Sequence, residues 1–457
     1  MRDPRGFLEV ERVPDPRRDP VTRIQDHREV FLTLPTAELR DQAGRCMGCG
    51  VPFCHDACPV GNLIPDWNEL VTDGDWRAAI DRLHQTNDFP EFTGMICPAP
   101  CEAACTLEIN DDPVMIKQVE WSIAERAWDE GWIVPRPPAR ETGKGVAVVG
   151  SGPAGLAAAA QLRRRGHAVT VFERDEAAGG LLRFGIPDFK LEKWVVERRL
   201  DLLRAEGIEL RCGVEPDVAQ LRAEFDAVVL ATGSRVEREL DVPGRELAGV
   251  HFAMEYLYGR NRAVAGTEPN GAPSAAGRHV VVIGGGDTAA DCIASAHREG
   301  ARSVVQLDLY PPPGGTRPRE IAGWPNQPRR LPSTYALDEG GERRSAIDTV
   351  AFGGEDGRLT HLRAARVSAD REPEPDSEHE LRADIAFIAI GFAHPAHDGP
   401  VEQLGLELDE RGNIAGHATS AEGVFAAGDA RVGQSLVVTA IADGRECARE
   451  VAAYLAG

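Results

Sequence analysis

The chain has 457 residues, with 51 Lys and Arg against 73 Asp and Glu, giving a formal net charge of −22. That length allows roughly two to four domains with cores of their own, and the acidic balance argues against nucleic acid and anionic membranes as partners. No stretch reaches the roughly 18 apolar residues of a membrane span, and the charged, Pro-rich MRDPRGFLEVERVPDPRRDP is no signal peptide, so a cytoplasmic location is expected.

Seven of the ten cysteines fall between Cys46 and Cys105, while Cys212, Cys292 and Cys447 stand alone. The first group reads Cys46-x2-Cys49-x4-Cys54-x3-Cys58-Pro59 and the second Cys97-x3-Cys101-x3-Cys105. Disulfides are not expected without a secretory signal, because the cytosol keeps thiols reduced. Structural zinc is an alternative, but zinc sites usually come as two close pairs with a longer spacer. A thioredoxin-like pair would use only two of the seven. The first run is close to the bacterial ferredoxin spacing, with two extra residues before its third cysteine. Soft thiolates in a tight loop suit an iron–sulfur cubane, which is therefore the expected chemistry. Seven cysteines are one ligand short of two four-iron clusters, and the segment after Cys105 offers Glu108 and Glu120. Glu120 opens the run Trp121, Ile123, Ala124, Ala127 and Trp128, which predicts a helix returning toward the cysteine loops. A glutamate on a helix is by default solvated.

Pro135-Arg-Pro-Pro138 predicts a linker, after which the pattern turns from helical to βαβ. Gly150-Ser-Gly152-Pro153-Ala154-Gly155 follows an apolar strand, opens an Ala-rich helix and is followed by a strand ending in Glu173. This is a complete dinucleotide fingerprint. Gly150 serves the tight turn, Gly152 the approach of the pyrophosphate and Gly155 the close packing of helix on strand. Glu173 is expected at a ribose hydroxyl, with Gly180 counted beside it. A second fingerprint, Gly284-Gly-Gly286-Asp287-Thr288-Ala289, precedes a strand ending in Asp308, and Ala in the third place is a permitted variant. Two units imply two dinucleotides, most economically a flavin and a nicotinamide; one being a vestige is the alternative.

Further pieces resemble the two-dinucleotide flavoprotein fold of disulfide reductases. Ala227 to Thr232-Gly233 and Ala386 to Gly391 are buried strands ending at small-residue turns, and Gly428-Asp429 precedes a helix from about Leu436. In that fold the pair implies a ribityl contact for Asp429; a turn aspartate is the plain alternative. No redox-active CxxC lies beside the flavin unit, and Cys212 and Cys292 read as buried structural thiols, so electrons are expected to leave through the N-terminal cysteines.

The whole order resembles the small (beta) subunit family of bacterial glutamate synthase, a module also similar to the N-terminal part of dihydropyrimidine dehydrogenase. The motifs that carry it are Cys46 to Pro59, Ile96 to Cys105, Gly150 to Gly155, Arg183-Phe-Gly-Ile-Pro-Asp-Phe-Lys190, Gly284 to Asp291, and Gly428 to Val438. The resemblance implies an α/β protein with two Rossmann-like domains, the nicotinamide domain inserted in the FAD domain, behind an α-helical iron–sulfur domain. Expected boundaries are 1–140 for the iron–sulfur domain, 141–258 and 391–457 for FAD, and 259–390 for NAD(P)H. It implies two 4Fe-4S clusters: Cys46, Cys49, Cys54 and Cys105 on one, and Cys58, Cys97 and Cys101 with Glu120 on the other. It also implies a relay from NAD(P)H through FAD and the clusters to a large (alpha) subunit, which forms glutamate from glutamine and 2-oxoglutarate. Met1 is followed by Arg2, so no N-terminal nucleophilic cysteine is offered for glutamine hydrolysis. A relative of this module feeding ferredoxin or another acceptor is the second reading. A scaffold with dead sites would not keep both fingerprints and all seven cysteines. Asp308 favours the 2′-hydroxyl of NADH, whereas Arg317 and Arg319 in the loop Pro311 to Arg330 could clamp the 2′-phosphate of NADPH; the family leans the expectation toward NADPH.

Overall fold

The computed structural model describes residues 5–267, 271–312, 323–326, 334–368 and 370–457. Up to residue 133 the described chain is helical and short-looped, and among the described residues no helix is long and apolar enough to cross a membrane. The helix Trp76–Leu83 shows why these segments form. Asp75 accepts a hydrogen bond from the Ala78 N–H (3.1 Å), and Trp76, Ala79, Ile80 and Leu83 form one buried stripe. The helix predicted from Glu120 begins four residues earlier, as Ile116–Asp129, so Glu120 lies inside it and is buried. This helix packs hard on Pro90–Ile96, where a Cβ on Gly94 would stand 2.6 Å from the Trp121 Cα.

Residues 134–144 are irregular, as the proline cluster predicts, and lead into a five-stranded parallel sheet. Its spatial order is Val424–Ala426, Ala227–Leu230, Gly145–Val149, Ala168–Glu173, Ile208–Cys212. The inner strands are buried along their length, as a sheet covered on both faces requires. Pro153–Arg164 and the C-terminal helix Val437–Ala456 pack against one another on this sheet.

The chain leaves this sheet after Leu230 and returns at Val424. The antiparallel pair Val236–Glu237 and Phe392–His394 is where it crosses out and back. Between the crossings lies a second parallel sheet, ordered Val250–Phe252, Ile385–Ile388, His279–Ile283, Ser303–Asp308, Glu342–Ser345. A three-stranded antiparallel sheet, Ile347–Glu355, Arg358–Arg366 and His379–Arg382, extends it without any counterpart in the sequence expectations. The expected boundary at 258/259 falls within the helix Ala253–Val264. Ala253, Tyr256 and Leu257 of that helix join the core of the second sheet, so the second body begins before the helix.

Buried ion pairs join the three bodies. Asp88 of the helical region accepts from Gln161 (3.0 Å) and Arg164 of the first fingerprint helix and from Arg445 (2.6 Å) of the C-terminal helix. Glu91 forks with Arg199 at 2.5 and 2.9 Å, and Arg23 and Arg298 share Glu339. Burial pushes the Asp88 carboxyl up, but Arg164 and Arg445 outweigh it and hold the group below its usual range. Asp88→Ala would leave two arginines facing a buried space, an expected loss of about 3–5 kcal/mol. Because the folded carboxyl is depressed, the wild-type advantage is present at neutral pH and lost as pH falls through the carboxylate range. Urea midpoints at pH 7 and pH 4 check this; equal midpoints at pH 7 would contradict it.

Candidate functional site

The seven N-terminal cysteines surround two separate cavities. Cys46, Cys49, Cys54 and Cys105 line one, whose other walls include Met47, Phe53, Ile64 and Leu107. Cys58, Cys97, Cys101 and Glu120 line the other, together with Lys117 and Val438. Local backbone divides them. The short helix Phe53–Ala57 carries Cys54, and the chain then turns extended at Cys58, delivering it to the other cavity. Cys97 ends the helix Pro90–Ile96, and Ala99 adopts a left-handed conformation (φ +57°) while its N–H donates to the Cys97 Sγ at 3.4 Å. A positive φ costs a non-glycine residue energy and marks a constrained site. Cys101 rides the turn Pro100–Ala103, and Cys105 precedes the turn Thr106–Ile109. Glu108, the other acid after Cys105, is buried in that turn and is not among the residues lining either cavity.

The donor chemistry fits a positively charged inorganic group. Burial pushes the Cys58 and Cys105 thiols up to about 11 and Cys97 to about 12, and Cys54 and Cys101 also rise. These side chains stay protonated at neutral pH unless a cation makes the thiolate the favoured form. Among the described residues no three His, Cys, Asp or Glu side chains converge on a single metal ion; the cysteines surround a space instead. Glu120 is pushed up to about 7 by burial, against hydrogen bonds from Thr93, Asn87 and Asn62. All three donors meet its Oε1, at 2.8, 2.8 and 3.2 Å, and the other oxygen takes none of them. Such outer partners fix how a carboxylate is presented.

At the first fingerprint, a Cβ on Gly150 (φ +105°) would stand 2.3 Å from the Ala231 O, and one on Gly155 would stand 2.0 Å from the Gly150 O. A Cβ on Gly152 would meet nothing within 4 Å, so the N-terminus of Pro153–Arg164 opens onto free space. Gly180 lies against this turn, its absent Cβ 2.9 Å from the Gly152 Cα. Glu173 is buried; one oxygen accepts from the Ser151 N–H (3.0 Å) and hydroxyl, the other from the Asp175 N–H (3.0 Å). Its first task is thus to brace the fingerprint loop. A carboxylate has acceptor capacity beyond these bonds, so a ribose contact is compatible.

Thr232 and Gly233 follow the strand Ala227–Leu230; the Thr232 N lies 3.3 Å from where a Cβ on Gly150 would be, and no atom lies near the absent Gly233 Cβ. Across from them, a Cβ on Gly428 would stand 2.5 Å from that of Ala154. Asp429 accepts a hydrogen bond from the Ser435 hydroxyl (2.6 Å), and burial pushes its carboxyl up to about 6. Asp443, which the sequence reading missed, holds this turn by accepting the Gly428 N–H at 2.7 Å and pairing with Arg431. Gly391 sits at the return crossing, where its Cβ would meet the Gln434 Oε1 at 2.6 Å.

At the second fingerprint, a Cβ on Gly284 would stand 2.2 Å from the Ala389 O, whereas one on Gly286 would meet nothing. The helix Asp287–Arg298 starts there, with Asp287 exposed, Thr288 half-buried and Ala289 fully buried. Asp308 is buried, accepts the Tyr310 N–H at 3.1 Å and is paired with Arg343, a second residue the sequence reading missed. Arg317 and Arg319 lie outside the described residues. Cys292 and Cys447 are fully buried and Cys212 is partly so.

Residues 23–132 match the family of dihydropyrimidine dehydrogenase domain II, 4Fe-4S cluster, and residues 144–322 and 359–444 match the pyridine nucleotide-disulphide oxidoreductase family. FprA of Mycobacterium tuberculosis in complex with NADPH has a TM-score of 0.53 at 19% identity, covering 70% of this chain and 85% of that one, a likeness of fold. The glutamate synthase (NADH) of Schizosaccharomyces pombe is 45% identical over 98% of this chain, which spans 22% of that longer protein. The glutamate synthase (NADPH) small chain of Mycobacterium tuberculosis is 52% identical over 100% of this chain and 97% of that one. Full-length likeness at that level, over a 4Fe-4S region and a pyridine-nucleotide oxidoreductase region, makes this chain an oxidoreductase that belongs to the glutamate synthase small-chain family.

Proposed function

We propose that the chain is the electron-input subunit of a glutamate synthase. It takes electrons from NADPH through FAD and two 4Fe-4S clusters and passes them to a large subunit that forms glutamate from glutamine and 2-oxoglutarate. The observation that carries this reading is the placement of Val438. It lines the cavity of Cys58, Cys97, Cys101 and Glu120, and it lies in the first turn of the helix that follows the Gly428–Asp429 turn. One short segment therefore borders both the flavin opening and a cysteine cavity, as electron transfer between them requires.

In this reading Cys46, Cys49, Cys54 and Cys105 hold one cluster, and Cys58, Cys97, Cys101 and Glu120 the other. Gly150 to Gly155, Glu173, Gly180, Thr232, Gly233, Gly428 and Asp429 hold FAD. Gly284 to Ala289, Asp308 and Gly391 border the nicotinamide dinucleotide. When bound, the flavin would take up one hydride, two electrons, and the clusters would carry those electrons singly. The protein's part is to present donors and exclude water. Two helix N-termini meet the pyrophosphates, Asp429 accepts from sugar hydroxyls, and Asn62, Asn87 and Thr93 hold Glu120 so that its other oxygen can ligate. That the Schizosaccharomyces pombe relative carries this stretch inside a longer chain supports work beside a large subunit. A cytoplasmic location goes with the reading.

Purified chain mixed anaerobically with a glutamate synthase large subunit, glutamine and 2-oxoglutarate should form glutamate only when both proteins are present, and faster with NADPH than NADH. Dye reduction without glutamate would keep the relay but remove the partner, favouring another acceptor. Glu120→Ala should retain the iron of one cluster and lose the other; unchanged iron would rule out ligation by Glu120. Asp429→Ala should weaken FAD binding by about 10–100-fold, the worth of one charged hydrogen bond. Equal FAD affinity by fluorescence titration would contradict that role.

A further inference from the structure

We infer that Arg343 is the residue that receives the 2′-phosphate of NADPH, with Asp308 as its positioning partner. The inference rests on the reading that the second fingerprint binds a nicotinamide dinucleotide. An acid closing the second strand of such a unit ordinarily accepts the ribose 2′-hydroxyl and repels a phosphate at the same place. Here that acid is already engaged. Asp308 is 4% exposed, carries the Arg343 guanidinium on Oδ2, and accepts the Tyr310 N–H on Oδ1 at 3.1 Å.

Strand register explains how Arg343 arrives there. Ser303–Asp308 runs parallel to Glu342–Ser345, with Gln306 opposite Arg343 and Asp308 opposite Ser345. Side chains alternate along a strand, so Gln306, Asp308 and Arg343 share one face of the sheet. That face lies under the fingerprint loop. Gln306 donates to the Gly284 O at 2.8 Å, and the Asp308 carboxylate stands 2.5 Å from where a Cβ on Gly285 would be. Arg344, the next residue along, is instead taken up by Glu342 and His379.

The Arg343 guanidinium still has donors to give. Its side chain is 12% exposed, and its Nε is buried without a hydrogen-bond partner. A guanidinium carries five N–H donors in a fork that matches phosphate oxygens. Paired, Asp308 and Arg343 are neutral together, so the carboxylate no longer repels a phosphate, while it fixes the direction of the fork. Read alone, Asp308 selects NADH. Read with a partner 35 residues further on, it selects NADPH.

The test uses the FAD-loaded protein with Arg343→Gln and Arg343→Lys. NADPH and NADH oxidation is followed with ferricyanide, and binding of 2′,5′-ADP and 5′-AMP is followed by calorimetry. Flavin content and melting temperature report folding. Arg343→Gln should lose at least about tenfold more kcat/KM on NADPH than on NADH, chiefly through KM, with a matching fall for 2′,5′-ADP relative to 5′-AMP. Arg343→Lys, which keeps the charge, should recover part of it. Equal losses on both nucleotides, a loss confined to NADH, or a wild-type preference for NADH would each overturn the assignment. A wild-type protein that oxidised neither nucleotide and bound neither adenylate would overturn the dinucleotide reading, and this assignment with it.

Discussion

The C-terminal helix runs so close to the first fingerprint helix that a Cβ on Gly444 would stand 2.2 Å from the Ala154 O. Only glycine allows that approach, and its neighbours depend on it. Asp443, one residue before, reaches the Gly428 N–H and fixes the turn that carries Asp429. Arg445, one residue after, reaches Asp88 in the helical region at 2.6 Å. Three consecutive residues thus brace the Gly428–Asp429 turn, bring two helices together and anchor the cysteine-bearing body. At its other end the same helix puts Val438 into the wall of a cysteine cavity. Electron transfer rewards such rigidity, because donor and acceptor must keep a short and constant separation.

The two cavities differ in what surrounds them. One has four cysteines and a mostly apolar wall; the other has three cysteines, a buried carboxylate and the Lys117 side chain. In the proposed relay, a carboxylate ligand and a nearby ammonium would act on a cluster's potential in opposite directions, through net charge and local electrostatics. The cavity containing Glu120 is also the one the C-terminal helix touches, so the proposed relay would put it on the flavin side. The other is bordered by the loop from Cys46 to Cys54, on which Val51 is 66% exposed.

Much of this was legible in the sequence, because it was written in short spacings. Both fingerprints placed their glycines by local need: the absent Cβ of Gly150, Gly155 and Gly284 answers to a close carbonyl, and that of Gly152 and Gly286 to open space. The cysteine total pointed to a missing eighth ligand, although only the family resemblance singled out Glu120. What could not be read were contacts made across the fold. Asp88, Asp443 and Arg343 are ordinary charged residues in sequence, and their partners lie 76, 15 and 35 positions away. Glu173 looked like a ribose ligand but also braces Ser151, a bond invisible until strand and loop are set side by side. The second body's early start was hidden because the strand Val250–Phe252 is only three residues long.

The measurement that bears most directly on the relay is iron, sulfide and flavin content of anaerobically purified protein, with Mössbauer spectra on the same sample. Two clusters held as described require about eight iron and eight sulfide per flavin, all in four-iron form, with one site distinguishable by its oxygen ligand. About four iron per flavin, or zinc in place of iron, would contradict the assignment of both cavities.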